Sequence, residues 1–166
     1  MKTEFKTKFL QHLNQKRKEG GFTLIELLVV IIIIGILAAI ALPSFLSQAA
    51  KAKQSEGKSF VGAVNRAHQA YRLENTEFTN DFEKLGVGLP TETNNYTMDI
   101  PTADGTVATT TAIPRDEALK GYAGQVKILD TGATGTVLCE AETAGKSAPT
   151  PTADEDGGTC AGGEKL

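Results

Sequence analysis

Groups that could carry out chemistry are scarce in this chain of 166 residues, which has two histidines and two cysteines. His12 lies in a basic amino-terminal stretch, so His68 stands alone in the remainder. One histidine does not supply the base and orienting partner of an activated nucleophile, and a core or groove role is expected for it. Asp154, Asp156 and Gly157 put carboxylates beside a turn residue, but the spacing that ends in a bidentate glutamate is missing. A solvated acidic loop is therefore expected there, with no metal and no other cofactor. No glycine-rich stretch follows a strand pattern and opens a helix, which removes support for nucleotide binding. Internal repeats are absent too.

What the chain does have is one long apolar run. From Phe22 to Leu42 there are twenty-one residues, and only Thr23 and Glu26 are polar. As a helix rising about 1.5 Å per residue, the run measures about 31 Å, enough to cross a hydrocarbon layer of roughly 30 Å. Glu26 is the odd member, because a carboxylate in lipid is costly even near a helix end. If the chain were cut between Gly21 and Phe22, the new α-amino group would lie one helical turn from Glu26, at i, i+4 spacing. The carboxylate would then have a cationic partner, on its own chain or on a neighbour.

Charge is just as unevenly distributed. The first 21 residues hold six basic side chains (Lys2, Lys6, Lys8, Lys16, Arg17 and Lys18) against Glu4 and Glu19. Without them 11 basic and 18 acidic residues remain, a net charge near −7 compared with −3 for the whole chain. A basic leader on an acidic protein is an address rather than a nucleic-acid surface, the alternative being a solvated tail that is never removed.

The stretch Gly20-Gly21-Phe22-Thr23-Leu24-Ile25-Glu26-Leu27-Leu28-Val29-Val30, with Pro43 closing the apolar run, resembles the class III signal of type IV pilins and their relatives. The resemblance is specific from Gly21 to Pro43 and looser beyond. It implies that a membrane prepilin peptidase cuts after Gly21 and methylates the amino group of Phe22, and that Glu26 acts in assembly. Lys120-Gly121-Tyr122-Ala123-Gly124 and Gly135-Thr136-Val137-Leu138-Cys139 are more weakly similar to cyanobacterial pilins, in keeping with a type IVa-like major pilin. An ordinary secretory signal would be cut after the apolar run; Ala38-Ala39-Ile40-Ala41 offers a faint site, which Glu26 and the length of the run oppose.

Lys16, Arg17 and Lys18 place the leader on the cytoplasmic side and send everything after Pro43 across the membrane. Cys139 and Cys160 then lie in an oxidising compartment, where an intramolecular disulfide is the natural outcome. They bracket twenty residues of mostly Gly, Ala, Thr, Pro and acidic type, too polar to bury a core alone. This segment resembles the disulfide-bounded loop that many pilins expose on the filament.

The expected fold is α+β, a pilin fold in which a long helix packs on a small antiparallel sheet of three or four strands. Residues 1–21 form the leader. Residues 22–73 form the helix, with 22–42 crossing the membrane or forming the filament core, and 74–166 form the head. After Ser44 the pattern becomes one-sided, and Phe60, Val64, Ala67 and Tyr71 make the stripe that should face the sheet. Gly35 and Pro43 interrupt the helix; Pro43 removes a donor to the Ala39 carbonyl. Either a simple kink or local unwinding follows, the second resembling the partly melted stretch of related filaments.

Residues 75–94 are expected to form an irregular connector anchored by Phe78, Phe82, Leu85 and Leu89. Alternating runs at Tyr96–Ile100, Thr106–Ile113, Gln125–Leu129 and Thr136–Cys139 are the candidate strands. They are poor in large apolar side chains, so the sheet needs the helix stripe to cover one face. Asn95-Tyr96-Thr97 fits a glycosylation pattern that carries little weight in bacterial export, and no O-linked site can be named among the many Thr and Ser.

The implied function is that of a structural subunit, not an enzyme. It sits in the inner membrane with a single pass and then polymerises into a helical filament on the cell surface, through a peptidase and a pilus assembly machinery. An acidic surface gives no reason for nucleic acid to bind along the shaft. One alternative shares the same amino terminus, a pseudopilin of a type II secretion system; another, from a different class, is a membrane-anchored enzyme with an uncleaved anchor, which the missing catalytic constellations and the Gly21 to Glu26 signature oppose.

Overall fold

The computed structural model describes residues 22–166, in two compact units that divide after Leu46. The leader and Gly21 lie outside the described residues. One long helix, α1 (Leu24–Glu74), contributes to both units. In the first unit every residue from Phe22 to Leu46 is exposed, so α1, about fourteen turns long, begins with a stretch rich in isoleucine and leucine that none of the described residues covers. The helix continues unbroken through Gly35 and Pro43.

In the second unit the buried side of α1 is Gly57, Phe60, Val61, Val64, Asn65 and His68. This stripe is turned from the expected one, since Ala67 and Tyr71 are only half-buried. The cause is compositional: the last two inward positions are polar, so a pattern of apolar residues alone drifts to the neighbouring side of the helix.

A short connector follows, containing a single turn, α2 (Phe82–Leu85), capped by the Asp81 carboxylate, which accepts from the Glu83 amide. Phe78 is buried, while Phe82 and Leu85 pack half-buried against the core. Leu89 is no anchor, being 41% exposed; with Pro90 it rims a cavity of about 420 Å³ floored by Phe60 and Met98.

The remaining elements are β1 (Tyr96–Ala103), β2 (Val107–Pro114), β3 (Tyr122–Ile128), β4 (Thr134–Ala141), β5 (Thr150–Thr152), β6 (Thr159–Ala161) and β7 (Gly163–Lys165). The main sheet has the order β1-β2-β3-β4-β7 and is antiparallel throughout. β1 to β4 are the four strands expected from alternation. β7 makes a fifth, pairing only opposite Cys139, Glu140 and Ala141, and its Gly-Glu-Lys sequence carries no alternation by which to read it.

The register explains the packing. Ala112 lies opposite both Met98 and Tyr122, and Thr110 opposite Gly124, so these residues share one face. There Tyr96, Met98, Ile100, Ala112 and Tyr122 close on Phe60, Val61 and Val64. Small residues let the helix settle. A Cβ on Gly57 would meet the Tyr96 ring at 2.9 Å, and one on Gly124 would meet Val61 and Asn65 at 2.6 Å. The opposite face, at Val137 and Cys139, is covered by Ala153 and Cys160 of the carboxy-terminal segment.

Candidate functional site: the amino-terminal turn and the disulfide-bounded loop

The amino-terminal turn begins with Thr23 as the residue before α1. Its carbonyl accepts from the Leu27 amide at 3.2 Å, the first helical bond. The Glu26 amide donates to Thr23 Oγ1 at 3.2 Å. In return the Thr23 amide and hydroxyl both donate to Glu26 Oε2, at 2.8 and 2.7 Å. This is a reciprocal capping box of the Thr-x-x-Glu type, in which a side chain at each end satisfies a main-chain donor of the first turn. The partner that the structure gives Glu26 is therefore Thr23. Phe22 is 80% exposed just before it.

Thr23 entered the sequence reading as a polar residue in an apolar run and within the signal-like stretch, with no role of its own. The spacing Thr23-x-x-Glu26 was the signal that could have identified it, because a hydroxyl and a carboxylate three residues apart at a helix start are the two halves of a capping box.

The second region is the carboxy-terminal segment. Cys139 is fully buried on β4 and disulfide-bonded to Cys160 on β6, with Cα atoms 5.7 Å apart. The intervening residues do not form a core of their own; they use the back of the sheet. The Ala153 amide donates to Gln125 Oε1 at 2.8 Å, and the Ala153 methyl group is buried with Val137. Asp154 turns its Oδ1 onto the amides of Asp156 and Gly158, at 3.0 and 2.6 Å. That carboxylate oxygen holds a turn together.

At one end of the sheet a polar network joins several strands. Lys120 Nζ donates to Glu140 Oε1 at 2.7 Å, Tyr122 Oη donates to Glu140 Oε2 at 3.0 Å, and Tyr96 Oη donates to the Lys120 carbonyl at 2.9 Å. Burial pushes Tyr96 up to about 12, helped by Glu56 and Glu140, and burial raises Tyr122 as well. Burial acts to raise Glu140, but the bonds from Lys120 and Tyr122 outweigh it and hold the carboxyl below its usual range. Asn95 is half-buried and its amide donates to Glu56 Oε2 at 2.7 Å, so the glycosylation pattern falls on a side chain already engaged.

His68 is fully buried, with its ring edge-on to Phe78 at 5.7 Å, and neither ring nitrogen has a hydrogen-bond partner among the described residues. Burial lowers its pKa to about 4. It is a core histidine on the helix, far along the chain from the amino-terminal turn.

Comparison with known proteins gives matches over both stretches of the chain. Residues 54–161 match the family described as Type IV pilin-like G and H, and residues 16–42 match the prokaryotic N-terminal methylation motif. The chain is 40% identical to the type IV major pilin protein PilA of Myxococcus xanthus over 88 residues, 53% of this chain and 40% of that one. It is 41% identical to the type II secretion system core protein G of Aeromonas hydrophila over 64 residues, 39% of this chain and 45% of the relative. With the fimbrial protein EcpC of Eikenella corrodens it shares 33% over 115 residues, 69% of this chain and 75% of the relative. The chain thus spans less than half the length of the first two relatives and three quarters of the third. An amino-terminal methylation motif, a long apolar helix on an antiparallel sheet, and a family match that covers well over half the residues show that the chain belongs to the type IV pilin-like family.

Proposed function

We propose that the chain is the structural subunit of a type IV pilus. In this reading residues 1–21 are removed by a prepilin peptidase that cuts after Gly21, and the amino group of Phe22 is methylated. The subunit waits in the inner membrane with Phe22–Leu42 in lipid. A pilus assembly machinery then moves that helix into a bundle, and the filament leaves the cell surface. Glu26 neutralises the amino group of Phe22 on an adjacent copy and sets the vertical register. Gly35 and Pro43 are where the helix would yield as subunits pack. The head, residues 74–166, faces outward with its disulfide-bounded loop. Its role is structural rather than catalytic, and its acidic surface is not expected to bind nucleic acid along the shaft.

The observation that carries this reading is the uncovered helix from Phe22 to Leu46, every residue of which is exposed within the chain. An apolar surface of that extent needs lipid or other copies of itself. The similarity to a secretion core protein G keeps a pseudopilin of a type II secretion system as a second reading. The two separate in electron microscopy of material sheared from cells: long surface fibres containing this chain are expected for the pilus, and their absence from a strain that still needs the chain for secretion would favour the pseudopilin.

A further inference from the structure

The geometry points to Thr23 as a positioning residue for assembly: by holding Glu26 through Oε2, it presents Oε1 to the amino group of a neighbouring copy. This rests on the pilus-subunit reading above.

Both Thr23 donors converge on the same carboxylate oxygen, Oε2. Among the described residues, no hydrogen bond reaches Oε1. A glutamate on an exposed helix turn has three rotatable bonds, and fixing it in one geometry during assembly costs side-chain entropy. The capping box has met that cost beforehand. One hydroxyl does this in two ways, because Thr23 Oγ1 accepts from the Glu26 amide while donating to its carboxylate. Valine has nearly the same shape and lacks both functions, while serine keeps both. The box also gives Glu26 donors inside its own chain, so that the carboxylate does not enter lipid unpartnered before any neighbour arrives.

The test is incorporation of tagged variants into filaments made with untagged wild-type subunits, with the amino terminus of the membrane pool sequenced in parallel. Thr23→Val is expected to enter filaments about tenfold less than tagged wild type, the loss of one pre-ordered side chain. Thr23→Ser should match wild type, and Thr23→Val combined with Glu26→Ala should behave as Glu26→Ala alone, because Thr23 acts through Glu26. Wild-type incorporation of Thr23→Val overturns the proposal, as does a further loss when it is added to Glu26→Ala. A processing defect cannot hide the answer, because the contact can be read in the uncut chain in detergent micelles. There the residue-23 amide should exchange with solvent much faster in Glu26→Ala than in wild type, and equal exchange overturns the proposal. If tagged wild-type chain forms no filaments at all, the pilus reading fails instead.

Discussion

At neutral pH His68 is an uncharged ring wedged against Phe78, one helical turn from Arg72, whose buried Nε also lacks a partner among the described residues. The folded state holds the pKa near 4 against an ordinary 6.5, so folding disfavours the charged form. With a depressed folded pKa, the stabilising contribution is complete above about 6.5 and is lost as the pH falls through about 4, a total of roughly 3 kcal/mol. Thermal unfolding of the full chain in detergent should show the head losing stability across that window, and His68→Leu should flatten the loss. An unchanged slope in that variant would assign the acid sensitivity elsewhere. Glu26 makes a different single-residue prediction. Glu26→Ala should be cut normally and yet give no filaments, and abundant normal fibres in that variant would refute its assembly role.

Among the elements, α1 and the sheet meet through Gly57 and Gly124, so adding bulk there should be costly. Gly57→Leu has to displace the Tyr96 and Tyr122 rings, and a loss of about 1–3 kcal/mol is expected from overpacking, measured by denaturant unfolding. Little or no loss would show that the rings move aside easily. The carboxy-terminal segment depends on its cross-link. Cys139→Ser with Cys160→Ser removes a cross-link between positions 21 apart in sequence and should cost about 3 kcal/mol in the chain-entropy model. Proteolysis should then release the residues that cover Val137 and position 139.

These elements also mark where the sequence was legible. Strands β1, β2 and β4 alternate cleanly and were readable, whereas β3 is buried throughout Tyr122, Ala123 and Gly124 and was read only from Gln125; the apolar run of α1 was unmistakable. The inward stripe was read correctly at Phe60 and Val64 and then strayed to Ala67 and Tyr71, because Asn65 and His68 are polar yet buried, which apolar periodicity does not register. Asn65 reaches across to the Val137 carbonyl at 3.2 Å, a partner 72 residues away that no local pattern encodes. The back-face cover was hidden for a similar reason. A Gly, Thr and Pro segment does not announce burial, and Ala153 becomes core only because β3 and β4 offer a face for it. In the amino-terminal turn, the Gly21, Phe22 and Glu26 motif was visible in the residues, while the Thr23 half of the capping box was overlooked.

For the molecule as a whole, the account depends on a precursor whose basic leader and acidic remainder part at Gly21. Gly21 is the residue that the peptidase requires in this reading, and its replacement by a bulky residue should leave only full-length chain on a gel. A mature chain beginning at Phe22 in that variant would contradict the requirement. Once cut, a chain of net charge near −7 with an uncovered apolar helix has two stable settings, lipid or a bundle of its own copies. The most direct measurement is the intact mass and amino-terminal residue of the protein in fibres sheared from cells. The account predicts a chain beginning at methylated Phe22. Protein that still begins at Met1 and never occurs in fibres would contradict it.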